Sequence, residues 1–394
     1  MNKRALIAAC AAGFAFSANY TNHAPLVPAL RGNFGFNQAS AGLLTTGIFL
    51  THALMQIPGG RLADRLGASR VMVVALAWVA LANFGIAISG AYWQLLFWKT
   101  FAGIGTGACF AAGARYVVGM FKGRQLHLAQ GLYGASVVLG SGFVLFAVPQ
   151  LLEKFGWRGA FLGCAMLAAA VWALWMWGSP APQQSVPAAG SLAEMMAHPE
   201  LWLLGWMQMA SFGLMIVVGT WITTLLRADF QMPLKTAGLL GSMVLLLGII
   251  SRPLGGWLAH TMRIRTLVGA SLLLNALACA ALGWGHIFAV TLIAIGILGM
   301  GCGLPYAGVF NRAAALFPGR AGAAMGFVNM VGIIMILAGA PAVGYLADLS
   351  GQFRTSFYVL GAFALLAALA ATAIPEEIHE PDAVVRPVTD RASR

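Results

Sequence analysis

The sequence contains few charged residues. Only 9% of its 394 residues are Asp, Glu, Lys or Arg, against 60% hydrophobic residues, whereas soluble domains carry about 25% charged residues. So little polar sequence cannot coat a buried core, which excludes a soluble globular protein. The apolar residues form runs of about 18 or more, the length typical of membrane-spanning helices. We therefore expect an integral protein of the lipid bilayer.

Paired cysteines and nucleophile–base pairs are also missing. The five cysteines stand singly inside apolar runs, without the spacing of a metal site or a redox motif. We expect no metal, no cofactor and no enzymatic activity. The net charge of +12 does not indicate nucleic-acid binding, because most basic residues lie in short loops between apolar runs, where they set orientation in the membrane.

The chain consists of two similar halves. The stretch 59–67, Gly-Gly-Arg-Leu-Ala-Asp-Arg-Leu-Gly, returns at 255–263 as Gly-Gly-Trp-Leu-Ala-His-Thr-Met-Arg. The same offset relates the glycine-rich stretch 103–107 to 299–303. A repeat with so long a period indicates a duplicated domain and not a solenoid.

Twelve membrane-spanning helices are predicted, six in each half. We expect an N-terminal six-helix bundle at 1–178, a cytoplasmic linker with a short amphipathic helix at 179–200, a C-terminal bundle at 201–375 and a disordered cytoplasmic tail at 376–394. The spans are predicted at 5–29, 39–60, 71–89, 93–117, 126–149, 157–178, 201–225, 235–259, 266–284, 287–311, 322–346 and 353–374.

The distribution of Lys and Arg predicts the orientation of the chain. More of these residues fall in the loops on the side of the N-terminus than on the opposite side, which places both termini in the cytoplasm. Lys3 and Arg4 before an apolar run are also typical of a signal peptide, but that run is too long for one and is repeated at 201–225. The expected location is the bacterial inner membrane.

The charged turn after span 2 carries a family signature. The pattern Gly60-x-x-x-Asp64-Arg65-x-Gly67 resembles the signature loop of the major facilitator superfamily. The resemblance covers residues 1–375 and implies an all-α fold of twelve helices in two pseudo-symmetric bundles, which transports by alternating access. In the second copy His260 replaces the acid, so we expect a weaker or pH-dependent contact there.

Two further stretches indicate a branch of that superfamily. Residues 19–23 and 251–256 are similar to the nitrate/nitrite-porter and monocarboxylate-type transporters, in which an arginine before a proline in span 8 contacts the anion. Arg252 stands at that position here. Nitrate porters carry a second arginine in span 2, where the offset places Gln56 opposite Arg252. The wider class of small organic or oxo-anions therefore stays open.

Buried basic residues without acidic companions are the most informative chemical feature. Lys99, Arg115 and Arg252 lie within predicted spans, Arg312 stands at the end of one, and no Asp or Glu lies deep in any of them. Arg115 either reaches the membrane surface or pairs with Asp64. With Gly60, Arg65 and Gly67, that pair is predicted to form a conformational latch at the cytoplasmic ends of spans 2 and 4.

Arg252 and Lys99 are the deeper pair. A buried cation needs a partner, which is either an anionic substrate or a protein group such as a helix carbonyl. His52 and Gln56 share one helix face, and His52 either carries a proton or is a hydrogen-bonded core residue. Other polar candidates for a cavity wall are Tyr20, Asn22, His23, Gln130, Tyr133, Tyr306, Asn311 and Asn329.

The sequence thus predicts a monomeric secondary active transporter of a small anion, with no nucleic acid as partner. Coupling would run through a proton on His52, through the substrate's own protonation, or through exchange with a counter-anion. Two alternatives remain: an exporter of neutral or cationic metabolites or drugs, and a non-transporting sensor on the same fold.

Overall fold

The structure is a computed structural model that describes residues 2–36, 38–178, 180, 192–285 and 287–375. These residues form helices and short connections, without a strand in the described ranges. Residues 179 and 181–191 of the predicted linker 179–200 and the whole tail 376–394 lie outside the described residues. The end of the linker region forms a short helix, Leu192–Ala197.

The described residues form twelve helical passes. Ten helices in the described part are long and apolar enough to cross a membrane. One of them, Gly123–Trp177, is interrupted at Gly156, whose φ of 68° suits a residue without a Cβ, and it therefore makes two passes. The helix Lys3–Thr21 packs against the first of these passes and completes the set.

The helices are bounded as follows in chain order. Span 1 is Lys3–Thr21, followed by Ala24–Leu26 and Val27–Phe34; spans 2, 3 and 4 are Gln38–Leu66, Ala68–Ala87 and Tyr92–Met120; spans 5 and 6 are the two parts of Gly123–Gly178. Span 7 comprises Pro199–Gln208, the π-helical Met209–Gly213 and Leu214–Phe230; span 8 comprises Leu234–Leu246 and Gly248–Thr261; span 9 is Ile264–Trp284. Span 10 comprises Phe288–Gly301 and Tyr306–Leu316; Pro318–Arg320 precedes span 11, Ala321–Ser350, and span 12 is Arg354–Ala370 with Ala371–Ala373.

The outer surface of the bundle is apolar. Large side chains such as Phe146, Trp177 and Leu239 are 72%, 86% and 69% exposed. In water such a surface would drive aggregation. In a bilayer it faces lipid, while the helices satisfy their own backbone hydrogen bonds.

The sequence repeat is visible in matching contacts. Arg158 donates a hydrogen bond from Nη2 to the carbonyl of Ser89 over 3.1 Å. Its counterpart in the second half, Arg354, donates from Nη2 to the carbonyl of Gly285 over 3.3 Å. Both residues of each pair are related by the offset that links Gly60 to Gly256. The two bundles therefore share one architecture down to individual hydrogen bonds.

Close helix approaches repeat in the same way. A Cβ on Gly59 would lie 2.9 Å from the Cα of Ala108, so spans 2 and 4 touch there through their backbones. A Cβ on Gly255 would lie 2.1 Å from the carbonyl oxygen of Leu304, at the equivalent contact of spans 8 and 10. Small residues allow such contacts between helices in lipid.

Candidate functional site

A small cavity lies between the two halves. Its empty space is about 240 Å³ with the part that is open to solvent included, so the enclosed space suits only a small ligand. None of its lining residues is Asp or Glu. The N-terminal half contributes Tyr20, His52, Phe110 and Val137, and the C-terminal half contributes Gln208, Phe212, Arg252, Tyr306 and Asn329.

Interrupted helices of the second half position three of these residues. Phe212 lies in the π-helical segment of span 7. Span 8 turns at Leu247, five residues before Arg252, and Tyr306 begins the second segment of span 10 directly after Pro305. Breaks at mid-membrane depth are tolerated where the backbone lines a cavity, and π-helical segments are frequent at functional sites.

Arg252 carries the only formal charge on the cavity wall. Its side chain is 2% exposed, and Nη1 donates to the carbonyl of Gly134 in the other half over 2.6 Å. The guanidinium carbon lies 4.6 Å from the ring centre of Tyr306 and 5.6 Å from that of Phe212. No described carboxylate pairs with Arg252, and its Nε has no protein hydrogen-bond partner. A planar, partly unsatisfied cation is suited to an oxyanion or a carboxylate.

His52 faces the cavity from the opposite half. Its Nδ1 lies 3.0 Å from the hydroxyl of Thr106, and its Nε2 lies 2.6 Å from Nε2 of Gln56 and 3.4 Å from the hydroxyl of Tyr20. Gln56 stands behind the imidazole and does not line the cavity. The predicted proximity of His52 and Gln56 is therefore present, with the histidine nearer to the cavity.

An amide pair completes the polar wall. Gln208 donates from Nε2 to Oδ1 of Asn329 over 3.3 Å, while its Oε1 has no hydrogen-bond partner. Asn329 is among the residues predicted from the sequence, whereas Gln208 and Phe212 are not. The signal for Gln208 was available, since it is a lone amide in the middle of an apolar run.

Lys99 does not reach the cavity, contrary to its interpretation as a substrate ligand. Its Nζ donates to the carbonyl of Asn19 over 2.5 Å and to Oδ1 of Asn22 over 2.6 Å. Span 1 ends at Thr21, and the last carbonyls of a helix lack partners and attract a cation. Asn22 also bonds Asn83 of span 3 over 3.0 Å. Lys99 and Asn22 therefore satisfy each other's polar groups, and their hydrogen bonds connect spans 1, 3 and 4.

Tyr133 also lies away from the cavity. Its hydroxyl donates to the carbonyl of Phe110 over 3.1 Å, and the ring fills the space beside Gly113, where a Cβ would lie 2.2 Å from that hydroxyl. The residue packs span 5 on span 4 and is satisfied there. Its prediction as a cavity-lining group is not supported by this placement.

We expect Lys99→Met to lower stability. The substitution preserves most of the side-chain volume but removes the donor from two buried acceptors, the carbonyl of Asn19 and Oδ1 of Asn22, and each orphaned acceptor costs about 1–3 kcal/mol. The melting temperature in detergent measures this loss. Anion affinity should stay within a few fold of wild type, and a loss of affinity in a variant of unchanged melting temperature would contradict the structural role.

At one end of the molecule, Asp64 joins the two halves. Its Oδ1 accepts a hydrogen bond from Nε of Arg115 over 2.9 Å, so the predicted ion pair is present. The same carboxylate also accepts from the backbone N–H groups of Gly322 and Ala323, each over 3.0 Å. These two groups belong to the first turn of span 11, where a carboxylate both caps the helix and complements its dipole.

The neighbouring residues of the signature loop fit this contact. A Cβ on Gly60 would lie 2.2 Å from the carbonyl oxygen of Gly322, so only glycine allows the halves to approach so closely. Gly67 has a φ of 92° and forms the turn between spans 2 and 3. The side chain of Arg65 is exposed at this end.

The second copy of the loop makes no equivalent cap. Gly256 packs against the backbone of His127, where its Cβ would lie 2.3 Å from the carbonyl oxygen. His260, which replaces the acid, is exposed. At the start of span 5, the N–H of Leu126 donates to the carbonyl of Lys122 and is therefore not available for a cap. Asn311 and His127 link the halves instead over 3.0 Å.

The chain has twelve spans in two related halves, a central cavity with one cation that no described carboxylate neutralises, and a charged contact between the halves. These features define a membrane transporter with a site between two moving bundles. A family model described as Major Facilitator Superfamily matches residues 9–266 and 201–390. The chain belongs to the Major Facilitator Superfamily. It is a multi-pass membrane transporter and not an enzyme, and the predicted family and fold are confirmed.

Curated relatives are similar along most of the chain. A probable nitrate/nitrite antiporter of Thermus thermophilus is 24% identical and aligns with 84% of this chain and 82% of its own length. A probable nitrate transporter of Staphylococcus haemolyticus is 23% identical, over 87% and 89%. A nitrite extrusion protein of Bacillus subtilis is 24% identical, over 84% and 83%.

Solved structures show the same fold. The transporter FucP in an outward conformation has a TM-score of 0.77 at 17% identity, covering 93% of this chain and 98% of its own. The human organic anion transporter MFSD10 has a TM-score of 0.79 at 17% identity, covering 94% and 99%.

Proposed function

We propose that the protein moves a small oxyanion of the nitrate or nitrite kind across the bacterial inner membrane. The observation that carries this proposal is Arg252, a buried guanidinium that no described carboxylate neutralises and whose Nε faces no protein acceptor. An anion in the adjoining cavity would supply the missing charge and hydrogen bond. The relatives named as nitrate and nitrite transporters support this choice of anion.

The cavity disfavours the main alternative. A transporter of cationic compounds needs an acidic group at its site, and the lining residues contain none. Gln56 in place of a second span-2 arginine leaves one fixed positive charge. That charge balance suits a monovalent anion such as nitrate or nitrite.

The proposed mechanism is alternating access. The Lys and Arg distribution supports an orientation with the Asp64 end and both termini in the cytoplasm, in which the cap on span 11 would hold the cytoplasmic side closed. Rocking of the halves about the cavity would break this cap and open the site to the cytoplasm. A monomer suffices for this cycle, because both halves of the site lie in one chain.

A thermal-shift titration of the purified protein tests the proposal. Sodium nitrate and sodium nitrite are expected to raise the melting temperature above that in sodium chloride of equal ionic strength, because a ligand at about 100 times its Kd stabilises by about 2.7 kcal/mol. Proteoliposomes loaded with nitrite should then take up labelled nitrate. Stabilisation by neutral or cationic solutes alone would reject the proposal.

A further inference from the structure

We propose that His52 is a proton-binding site of the transport cycle, so that each anion crosses the membrane together with one proton. The inference rests on the proposed function, because it concerns the same cavity. It follows from the hydrogen bonds around the imidazole, which determine what the ring can offer to an anion in each protonation state.

The surroundings of His52 favour the neutral tautomer with its proton on Nδ1. The hydroxyl of Thr106 donates to the carbonyl of Gly103 over 3.1 Å, so towards His52, 3.0 Å away, it acts as an acceptor and takes the Nδ1 proton. On the other side, Nε2 accepts from the amide of Gln56 over 2.6 Å and from the hydroxyl of Tyr20 at 3.4 Å. Both nitrogens of the neutral imidazole are therefore engaged by protein groups, and the ring offers no free donor to an anion in the cavity.

A second acceptor is already in place for the protonated ring. Oε1 of Gln56 is buried and has no hydrogen-bond partner, and rotation of this amide would bring it to Nε2. When Nε2 gains a proton, this oxygen can accept the hydrogen bond from it. The amide of Gln56 can thus form a hydrogen bond with Nε2 of His52 in both protonation states of the imidazole.

The groups that share the cavity with His52 make its proton depend on the anion. Arg252 from span 8 is the only fixed charge on the wall, and Tyr20 from span 1 and Tyr306 from span 10 are the other titratable side chains there. The remaining groups near the ring carry no formal charge. They are Thr106, Phe110 and the buried Cys109 on span 4, Val137 on span 5, Gln208 and Phe212 on span 7, and Asn329 on span 11. Without an acid on this wall, a second cation is unfavourable until an anion enters.

The charges balance for one anion and one proton. The empty site carries one positive charge on Arg252, and the loaded site carries Arg252, the imidazolium of His52 and one negative charge. Each form therefore has a net charge of one, so that reorientation of the loaded and the empty carrier moves the same charge. By linkage, an anion that favours the imidazolium must bind more tightly when the proton is present.

Proton uptake by the wild-type protein is the direct test. Saturating nitrate, added to the purified protein in weakly buffered solution with a pH dye, is expected to take up about one proton per chain. The Kd for nitrate should rise about tenfold per pH unit where the free imidazole is neutral. In proteoliposomes, external nitrate should acidify the lumen.

Two variants assign the proton to this residue. In His52→Gln, nitrate should cause no proton uptake, and the binding that remains should not depend on pH. His23→Gln is the matched control, since His23 is an equally buried histidine of the same half that bonds Thr45 over 2.8 Å and does not line the cavity; it should keep the proton uptake of wild type. Nitrate binding by wild type without proton uptake would overturn the role of His52 alone, whereas no binding of any anion would overturn the proposed function.

Discussion

Nitrate binding is expected to be lost in Arg252→Gln. The substitution removes the only fixed charge of the cavity wall and the partner of the Gly134 carbonyl. Truncating one member of a buried charged contact costs about 2–5 kcal/mol, so the Kd should rise by at least about 30-fold. The thermal shift with nitrate and the exchange of labelled nitrate in proteoliposomes both measure this loss.

Arg158→Gln is the matched control for this experiment. Arg158 also donates to a backbone carbonyl, that of Ser89, and its guanidinium lies 4.4 Å from the ring of Trp157, but it lies far from the cavity wall. The control should lose some stability and keep the nitrate affinity of wild type. Equal affinities of Arg252→Gln and wild type would show that Arg252 is a structural residue that only bridges the two halves.

The architecture could be predicted because it depends on properties that are spread along the chain. Long apolar runs give the twelve passes, and the repeat gives two related bundles, down to the matched contacts of Arg158 and Arg354. Arg252 could be predicted as a candidate for a similar reason, because a guanidinium in an apolar span has few possible protein partners.

The positions of Lys99 and Gln208 depended on local breaks that hydropathy does not report. The first apolar run was predicted to continue to residue 29, whereas the helix ends at Thr21 and exposes the carbonyl that Lys99 binds. The π-helical segment after Gln208 likewise has no clear signature in the sequence. Each break changes the direction of the following side chains, and therefore changes which polar groups meet the cavity.

The contact of Asp64 with span 11 shows a second limit. The ion pair with Arg115 could be inferred, because both residues lie at the same end of one bundle. The two N–H donors of Gly322 and Ala323 belong to the other bundle, and only the packing of the halves brings them to the carboxylate. Every helix start offers such donors, so the sequence does not specify which one the acid caps.

Asp64→Asn is expected to open the end of the molecule at which Asp64 joins the two halves. Asparagine has nearly the same shape but offers one acceptor oxygen without charge, so it cannot serve Arg115 and both N–H groups of span 11 together. Each of the two N–H bonds to the carboxylate contributes about 1.5–3 kcal/mol, and about 3 kcal/mol changes the ratio of two conformations roughly 100-fold. Because these two bonds bridge the halves, their loss falls on the closed conformation, and transport should slow while nitrate still binds.

Distances between spin labels measure this opening. Arg65→Cys on span 2 and His260→Cys on span 8 place one label on each half at the same end, on exposed positions of a background without the five native cysteines. Asp64→Asn should shift the distribution to longer distances. Glu200→Gln is the control, since Glu200 pairs with Arg312 over 2.6 Å inside the second half alone; it should destabilise the bundle without separating the labels. Longer distances in both variants would mean that general loosening, and not the cap on span 11, keeps this end closed.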